Sequence, residues 1–527
     1  MFFDVEGLFI MQLSDLNQLS SVLTVKHPSS LDGQLENQVQ KVTSDSRQVG
    51  PGTIFVALVG SHTDGHQYIQ SAVDAGALAV VIQADQEKNV SLPQNIGVYV
   101  ADNTYQALGA LCDLFYDQPA KKMSLVGVTG TNGKTTVTHL IEHMLAYWGK
   151  SVGLIGTLGK RQAAQSSSAP KKGTFETTGH TTPMAPELHA MLADMVNEKT
   201  EYLVMEVSSH ALEQHRVYGC DFKVAVHTNV TQDHLDYHHT MTRYAEAKSM
   251  LFSGLSAGAT AVINQDDDWA STMKGACSAE VNILTYGLNL NREKNSEQAM
   301  YCATDVTYEI HQTSFMLNTP EGAFPLTVQL AGQFGVYNAL AAIASGVGLG
   351  IPLPICLEAI QTVSGIRGRF EVVAQKPSVI VDYAHTPDGL ENVLSAAKRI
   401  TPKTGRLVAV FGCGGDRDAT KRPQMGRIAE QYADVLVVTS DNPRTENPQQ
   451  ILSDVVRGIQ QFDATCMSVI EDRRDAIRHA IDLAQPEDVI VVAGKGHEDY
   501  QILADRTIHF DDREEVQTYL KERTVPA

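Results

Sequence analysis

Gly130-Thr-Asn-Gly-Lys-Thr-Thr136 combines the residue types that a nucleotide triphosphate requires. Glycines let backbone amides approach phosphate closely, a lysine adds a point of positive charge, and a threonine hydroxyl can ligate magnesium. The apolar run Leu125 to Val128 ahead of it reads as a buried strand, and the amphipathic run Val137 to Tyr147 behind it reads as a helix. The spacing departs from the strict phosphate-loop pattern. Val128 stands where the first glycine usually falls, and the glycines are Gly127, Gly130 and Gly133. A plain tight turn is the competing reading. The strand-loop-helix context favours phosphate binding.

Further acids and histidines sit at predicted strand ends. Glu206 closes the apolar run Glu201 to Glu206, where an acid can hold magnesium beside phosphates or cap the next helix; the nearby phosphate loop favours the metal role. Asp233, His234 and Asp236 follow the predicted strand Lys223 to Val230 and could add ligands. His234 and His238 have the spacing of two imidazoles on one helical face, as in zinc sites. Zinc is disfavoured, because no glutamate completes the metalloprotease pattern and magnesium prefers oxygen. Lys248 lies among Ala245, Ala247, Met250 and Leu251, and its pattern alone reads as a surface lysine.

The elements that must position these groups are legible in outline. With 527 residues, two to four domains are expected. A first unit, 1–100, carries strand Thr53 to Val59, helix Asp64 to Ala75 and strand Ala77 to Gln83. Asn103 to Tyr116 reads as a linker helix. A second unit, 101–365, holds the phosphate loop, with an antiparallel excursion near 290–330 and an Ala-rich helix after Gly332. A third, 366–527, alternates strand and helix from Ser378 to Val492, the pattern of a parallel Rossmann-like sheet. Its loops 382–388, 412–417, 440–446 and 493–498 are all polar and fall at strand carboxyl ends, where ligands bind in such sheets. Gly412-Cys-Gly-Gly-Asp-Arg-Asp418 is not a dinucleotide fingerprint, since Arg417 stands at the third glycine position. The fold class is therefore α/β, in three domains: a small N-terminal α/β domain, a central mostly parallel ATPase-type sheet and a C-terminal Rossmann-like domain.

Bulk properties exclude some partners. Forty-one Lys and Arg against 61 Asp and Glu give a net charge of −20, which argues against nucleic acid or an anionic membrane. No apolar stretch reaches the ~18 residues of a membrane span. Seven scattered cysteines, none in a Cys-x-x-Cys pair, read as reduced thiols in a cytoplasmic protein. Met1–Ile10 lacks the basic start of a signal peptide and reads as a loose extension or a mis-assigned start.

Gly130 to Thr136, Met205-Glu-Val-Ser-Ser-His210, Asp233-His-Leu-Asp236, Gly332 to Asn338, Asp382-Tyr-Ala-His-Thr-Pro-Asp388 and Asp441-Asn-Pro-Arg444 occur in the order seen in the Mur ligase family. The chain resembles that family over nearly its whole length beyond Met11, and within it the diaminopimelate-adding branch. The resemblance implies that ATP phosphorylates the D-Glu side chain of a UDP-N-acetylmuramoyl dipeptide and that the amine of meso-diaminopimelate displaces the phosphate. It implies a cytoplasmic, monomeric enzyme with small-molecule substrates and two magnesium ions. ATP is implied at Gly130, Thr131, Asn132, Gly133, Lys134, Thr135, Thr136, Asn338, Arg369, Asp382 and His385. Magnesium is implied at Thr135, Glu206 and His234, and at Lys248 as an N6-carboxylysine, which replaces the surface-lysine reading. Lys134, Lys248 and His234 are the implied catalytic residues.

The UDP substrate is implied at Ser44, Ser46, Ser61, His62 and Thr63, then Ser208, Gln214 and Arg216. A family Thr-Thr pair matches Thr181-Thr182 better than Thr177-Thr178, because Pro183 and Glu187 follow at the commoner spacing. Diaminopimelate is implied at Arg417, Asp441, Asn442, Pro443, Arg444, Gly494 and Glu498. An arginine fork suits the distal carboxylate that lysine lacks. A lysine-adding ligase and a plain phosphate-loop phosphotransferase or NTPase are the alternatives.

Overall fold

The computed structural model describes residues 11–26, 35–60, 63–162, 175–288, 298–461 and 465–524. The readings of Met1–Ile10, Ser61 and His62 lie outside the described residues.

A five-stranded sheet runs in the order Thr24–Val25, Gly97–Ala101, Ala77–Gln83, Thr53–Val56, Lys41–Thr43. The last four strands pair in parallel, and the short edge strand is antiparallel. Helix Thr104–Phe115 starts on Asn103, whose side chain accepts the amides of Tyr105 and Gln106. Its Leu108, Leu111 and Phe115 pack with Val56, Val81 and Tyr99 of this sheet. The linker reading of this helix is thus corrected. It covers the first sheet, because its buried face has partners there.

Among the described residues the central sheet has ten strands. Ser124–Thr129 lies between Tyr202–Glu206 and Phe222–His227, parallel to both. The three loops that follow these strands, beginning at Gly130, Val207 and Thr228, therefore emerge at one edge. Alternate residues of the central strand serve opposite faces. Val126 and Val128 pack with Val137 and Leu140 of helix Lys134–Tyr147 and with helix Gly332–Gly348. Leu125 packs with helices Ala185–Asn197 and Met241–Ser253. The antiparallel excursion is present as Tyr301–Tyr308, Thr313–Thr319 and Gly322–Val328.

The third sheet runs Glu371–Gln375, Ser378–Asp382, Val489–Ala493, Leu407–Phe411, Val435–Val438, Met467–Val469, with all but the first strand parallel. Three helices cover one face and two, Arg473–Leu483 and Asp512–Thr524, the other. Sequence reading missed the short strand Met467–Val469 and both of these charge-rich helices.

Arg473 and Asp512 form a fully enclosed bidentate pair, with Nε–Oδ1 at 2.7 Å and Nη2–Oδ2 at 2.8 Å. Arg473 also donates to the carbonyls of Ala493 and Ser440. One guanidinium thereby ties together the ends of two strands whose loops carry Asp441 and Gly494. Removing one partner strands the other charge away from water. Asp512→Ala is expected to destabilise this unit by about 3–5 kcal/mol, read as a lower urea midpoint, and Arg473→Met added to it should recover most of the loss. An unchanged midpoint in Asp512→Ala would show the pair to be dispensable.

Candidate functional site

A cleft of about 1120 Å³ opens between the carboxyl edges of the central and C-terminal sheets. Its floor is the phosphate loop. Gly130 has φ +148, and a side chain there would place Cβ 1.8 Å from Thr228 Oγ1. Gly133 has φ +88 and would meet Asn338 Oδ1 at 2.6 Å. Both positions require glycine, which explains the two loop glycines that the sequence shows despite the missing first one. The loop is braced from behind. Thr228 Oγ1 donates to the Asn132 carbonyl at 2.6 Å, and the Asn132 amide donates to Asn229 Oδ1 at 3.0 Å. Lys134 Nζ folds back onto the carbonyls of Gly130 and Thr131, at 3.0 and 2.8 Å.

Glu206 is 1% exposed and sits at the centre of the floor. Its carboxylate accepts Thr135 Oγ1 at 3.0 Å, the Thr157 amide at 2.9 Å and Thr157 Oγ1 at 3.0 Å. Arg369, from the loop ahead of the third sheet, donates to Thr135 Oγ1 at 3.0 Å. Hard oxygens from one hydroxyl and one carboxylate suit magnesium, which keeps waters and substrate phosphates as its other ligands. Among the described residues, no group of three or more His, Cys, Asp or Glu is placed to hold a metal by itself. The donor set fits a magnesium shared with phosphate.

The histidine pair is not a zinc site. His234 has φ +53 and precedes a helix of only four residues, Leu235–His238. His238 points instead to Ser209 Oγ at 2.9 Å and Glu213 at 3.3 Å. His234 lines the cleft beside Asp233, 3.4 Å away.

Lys248 is 1% exposed, which corrects the surface reading made from its pattern. Its Nζ donates to the Gly130 carbonyl at 2.8 Å and lies 4.3 Å over the Tyr244 ring. Burial, and then the neighbouring Lys134, hold its amine well below the usual lysine range. It lies beneath the phosphate loop and does not line the cleft. Tyr244, Ala245, Leu251 and Phe252, at three- and four-residue spacing from Lys248, are all buried, so the helical period carried this signal.

Thr131 to Thr136, Asn338, Arg369, Asp382 and His385 line the cleft, and Gly130 lies just under it. Asp382 accepts the amides of Phe370 and Ala384, at 2.6 and 2.7 Å, and so shapes the loop that carries His385. Asp388 was given no role from sequence. It accepts from Asn132 Nδ2 and, at 3.0 Å, from Thr231 Oγ1, joining the third sheet to the phosphate loop. Thr157, Thr228 and Lys495 were likewise missed. Each acts through a contact far away in sequence.

Toward one end, Thr181, Thr182, Ser208 and Arg216 line the cleft. Buried Thr182 donates to the Glu206 carbonyl and accepts the Ser208 amide, and its own carbonyl accepts from Arg216. Gln214 holds the Arg216 guanidinium by two bonds without lining the cleft itself. Thr177 and Thr178 also line the cleft, and among the described residues Thr178 donates locally, to the His180 carbonyl. Ser44, Ser46 and Thr63 do not line it. They occupy loops after two adjacent parallel strands of the first sheet.

At the other end, Arg417, Asp441, Asn442, Arg444, Gly494 and Glu498 line the cleft. Arg444, at φ +53, donates from its amide to Ile502 and from Nη1 to the Gly415 carbonyl at 2.7 Å. The Pro443 carbonyl packs closely on Gly415, where a Cβ would lie 1.9 Å from it. Gly494 has φ +122, and a Cβ there would fall 2.5 Å from Asp441 Oδ2. Asn442 Nδ2 donates to Glu498 Oε2 at 3.0 Å. The result is a pocket with two guanidinium groups and two carboxylates within one cleft as the phosphate loop.

Known proteins share this architecture. The sequence matches the models for the Mur ligase family catalytic domain at residues 38–116, the Mur ligase middle domain at 128–346 and the Mur ligase glutamate ligase domain at 368–496. It is 43% identical over 521 residues to the UDP-N-acetylmuramoyl-L-alanyl-D-glutamate–2,6-diaminopimelate ligase of Listeria monocytogenes serotype 4b (strain F2365), covering 97% of this chain and 99% of that one. It is 46% identical over 499 residues to the protein of the same name from Synechococcus elongatus (strain ATCC 33912), covering 93% and 95%. A solved structure of a ligase with that name superposes with a TM-score of 0.66 at 33% identity, covering 98% of this chain and all of that one. With the three domain matches in sequence order and relatives this similar from end to end, the chain belongs to the Mur ligase family.

Proposed function

We propose that this chain is an ATP-dependent amide ligase of peptidoglycan precursor synthesis. It joins meso-diaminopimelate to the D-Glu of UDP-N-acetylmuramoyl-L-Ala-D-Glu, with release of ADP and phosphate. The observation that carries this reading is one cleft holding both a phosphate loop and a four-charge amino-acid pocket, in a chain whose relatives bear that ligase name.

A carboxylate is a poor electrophile, so it must first be activated. An oxygen of the D-Glu side-chain carboxylate attacks the γ-phosphorus of ATP, and ADP leaves as the P–O bond to it breaks. The loop amides from Thr131 to Thr136 and Lys134 offset charge on the transferring group. Thr135 Oγ1 and Glu206 would hold magnesium, which would further neutralise phosphate charge there. The amine of diaminopimelate then attacks the acyl phosphate carbon. The C–O bond to phosphate breaks, an amide forms, and the amine gives up a proton. Asn338, Arg369, Asp382 and His385 take the nucleotide side of the cleft. Arg417, Asp441, Asn442, Pro443, Arg444, Gly494 and Glu498 form the diaminopimelate pocket. Arg444 and Arg417 suit carboxylates, and Glu498 suits the distal ammonium.

Residues 1–100, with Ser44, Ser46, Ser61, His62 and Thr63, take the UDP end. Thr181, Thr182, Ser208, Gln214 and Arg216 take the peptide end. Residues 101–365 work as the ATPase unit and 366–527 as the amino-acid unit. Lys248 is modified to a carbamate: its buried amine adds carbon dioxide with loss of a proton, and the resulting carboxylate, alongside His234, would hold a second magnesium. The enzyme works as a cytoplasmic monomer.

Phosphate release from ATP, magnesium and the UDP dipeptide tests the reaction in three arms: no amino acid, L-lysine and meso-diaminopimelate. Release only with diaminopimelate is expected. Release with lysine as well would discard the specificity, and release without any amino acid would favour a plain NTPase. Arg444→Ala is expected to raise the KM for diaminopimelate roughly 10- to 100-fold while leaving the KM for ATP near its parent value. Equal effects on both would remove Arg444 from the specificity role. Lys248→Ala is expected to abolish turnover, with partial return on adding a short carboxylic acid. An indifferent enzyme would end the carbamate assignment.

A further inference from the structure

Lys495 is a fully buried charge beside the amino-acid pocket, and nothing in the reaction above uses it. It is 0% exposed. Its Nζ donates to Glu498 Oε2 at 3.0 Å and to Asn442 Oδ1 at 3.3 Å, and lies 5.3 Å over the Tyr500 ring. Asn442 Nδ2 donates to the same Glu498 oxygen at 3.0 Å, and Asn442 Oδ1 also accepts the Ile502 amide at 2.9 Å. Lysine, amide and carboxylate thus close a three-membered hydrogen-bonded ring. Glu498 and Asn442 line the cleft, whereas Lys495 stands behind them.

The backbone aims Lys495 inward. Gly494 and Gly496 flank it at φ +122 and +53, and a Cβ at Gly496 would lie 2.7 Å from the Gly368 carbonyl. The turn is therefore pinned against the loop ahead of the third sheet. An enclosed ammonium persists only with a paired anion. Here that anion is a cleft-lining carboxylate, with 14% of its side chain exposed.

We propose that Lys495 is a positioning residue for the amino-acid substrate. It fixes the plane of the Glu498 carboxylate and the orientation of the Asn442 amide. The Lys495 and Asn442 bonds to Glu498 both fall on Oε2, and the Tyr500 side chain is a further hydrogen-bond partner of the carboxylate. Glu498 then meets the distal ammonium of diaminopimelate in a preset orientation, and the substrate need not order it as it binds. The proposal rests on reading this pocket as the diaminopimelate site.

The test uses the full-length enzyme with Lys495→Met, Lys495→Gln, Lys495→Arg, Glu498→Gln and the double variant Lys495→Met/Glu498→Gln. Initial rates give kcat and the KM for each substrate. Lys495→Met and Lys495→Gln are expected to raise the KM for diaminopimelate roughly 10- to 100-fold, with the KM for ATP near that of the parent. Lys495→Arg should recover part of the loss. The double variant should bind diaminopimelate no more weakly than Glu498→Gln alone, because the lysine acts through the glutamate.

An unchanged KM for diaminopimelate in the Lys495 variants, alongside a raised one in Glu498→Gln, would overturn the proposal and leave the pocket standing. Additive losses in the double variant would overturn it too. So would a parallel rise in the ATP and diaminopimelate KM values in all three Lys495 variants, which marks a general structural role. An unchanged KM in Glu498→Gln itself would reject the pocket, and the proposal with it.

Discussion

A single enclosed carboxylate sets the geometry of the nucleotide end. Glu206 ends a buried strand, and among the described residues its carboxylate accepts from neutral donors: the hydroxyls of Thr135 and Thr157 and the Thr157 amide. Buried charge is costly unless its lone pairs are met, so these donors must converge. Their convergence ties the start of the helix Lys134–Tyr147 to the turn after strand Val152–Gly156. Gly156 leaves room for it, since a Cβ there would sit 2.4 Å from Glu206 Oε1. The backbone carbonyl of the same residue takes the Thr182 hydroxyl, so the peptide end of the cleft is built from Glu206 as well.

The third sheet reaches this hub by polar contacts, while Phe334 packs on Phe370 farther out. Arg369 reaches Thr135, and Asp388 reaches Asn132 and Thr231. These contacts run to the phosphate loop itself, so the loop that would hold the phosphates and the unit that would bring the amine are mechanically coupled. Burial raises the Asp388 carboxyl above the usual carboxylate range, with the Thr231 and Asn132 donors opposing that rise. Such contacts are readily exchanged for contacts to a polyanionic ligand. An acyl phosphate hydrolyses if water reaches it, and a cleft closed by polar side chains from both units is suited to excluding water.

Charge in the amino-acid pocket is arranged in layers. Arg417, Arg444, Asp441 and Glu498 face the cleft, Lys495 stands behind, and the Arg473–Asp512 pair ties the strand ends deeper still. In a chain with a net charge of −20, this local balance lets an amino acid with two carboxylates approach. Rigid support beneath the contact residues is what turns a set of charges into a discriminating site.

The sequence by itself determined the phosphate loop, the three parallel-sheet units in outline and the polar loops at their carboxyl edges. These are local properties: glycine demands, strand and helix periods, and turn chemistry act over a few residues. It also held the burial of Lys248, in the apolar neighbours one helical turn away on either side, although residue type alone pointed to the surface. The role of helix Thr104–Phe115 was not legible, because an apolar helical face does not say which sheet it will cover. The tertiary structure alone decided which distant groups meet. Asn132 and Asp388 are 256 positions apart, and Asn442 and Glu498 are 56 apart. Such pairs are fixed by strand order and by the stacking of whole sheets, which no short stretch of sequence encodes. Thr157 and Lys495 look like ordinary polar residues in the sequence and gain their meaning only from the distant groups that the fold places against them, Glu206 and Asn442.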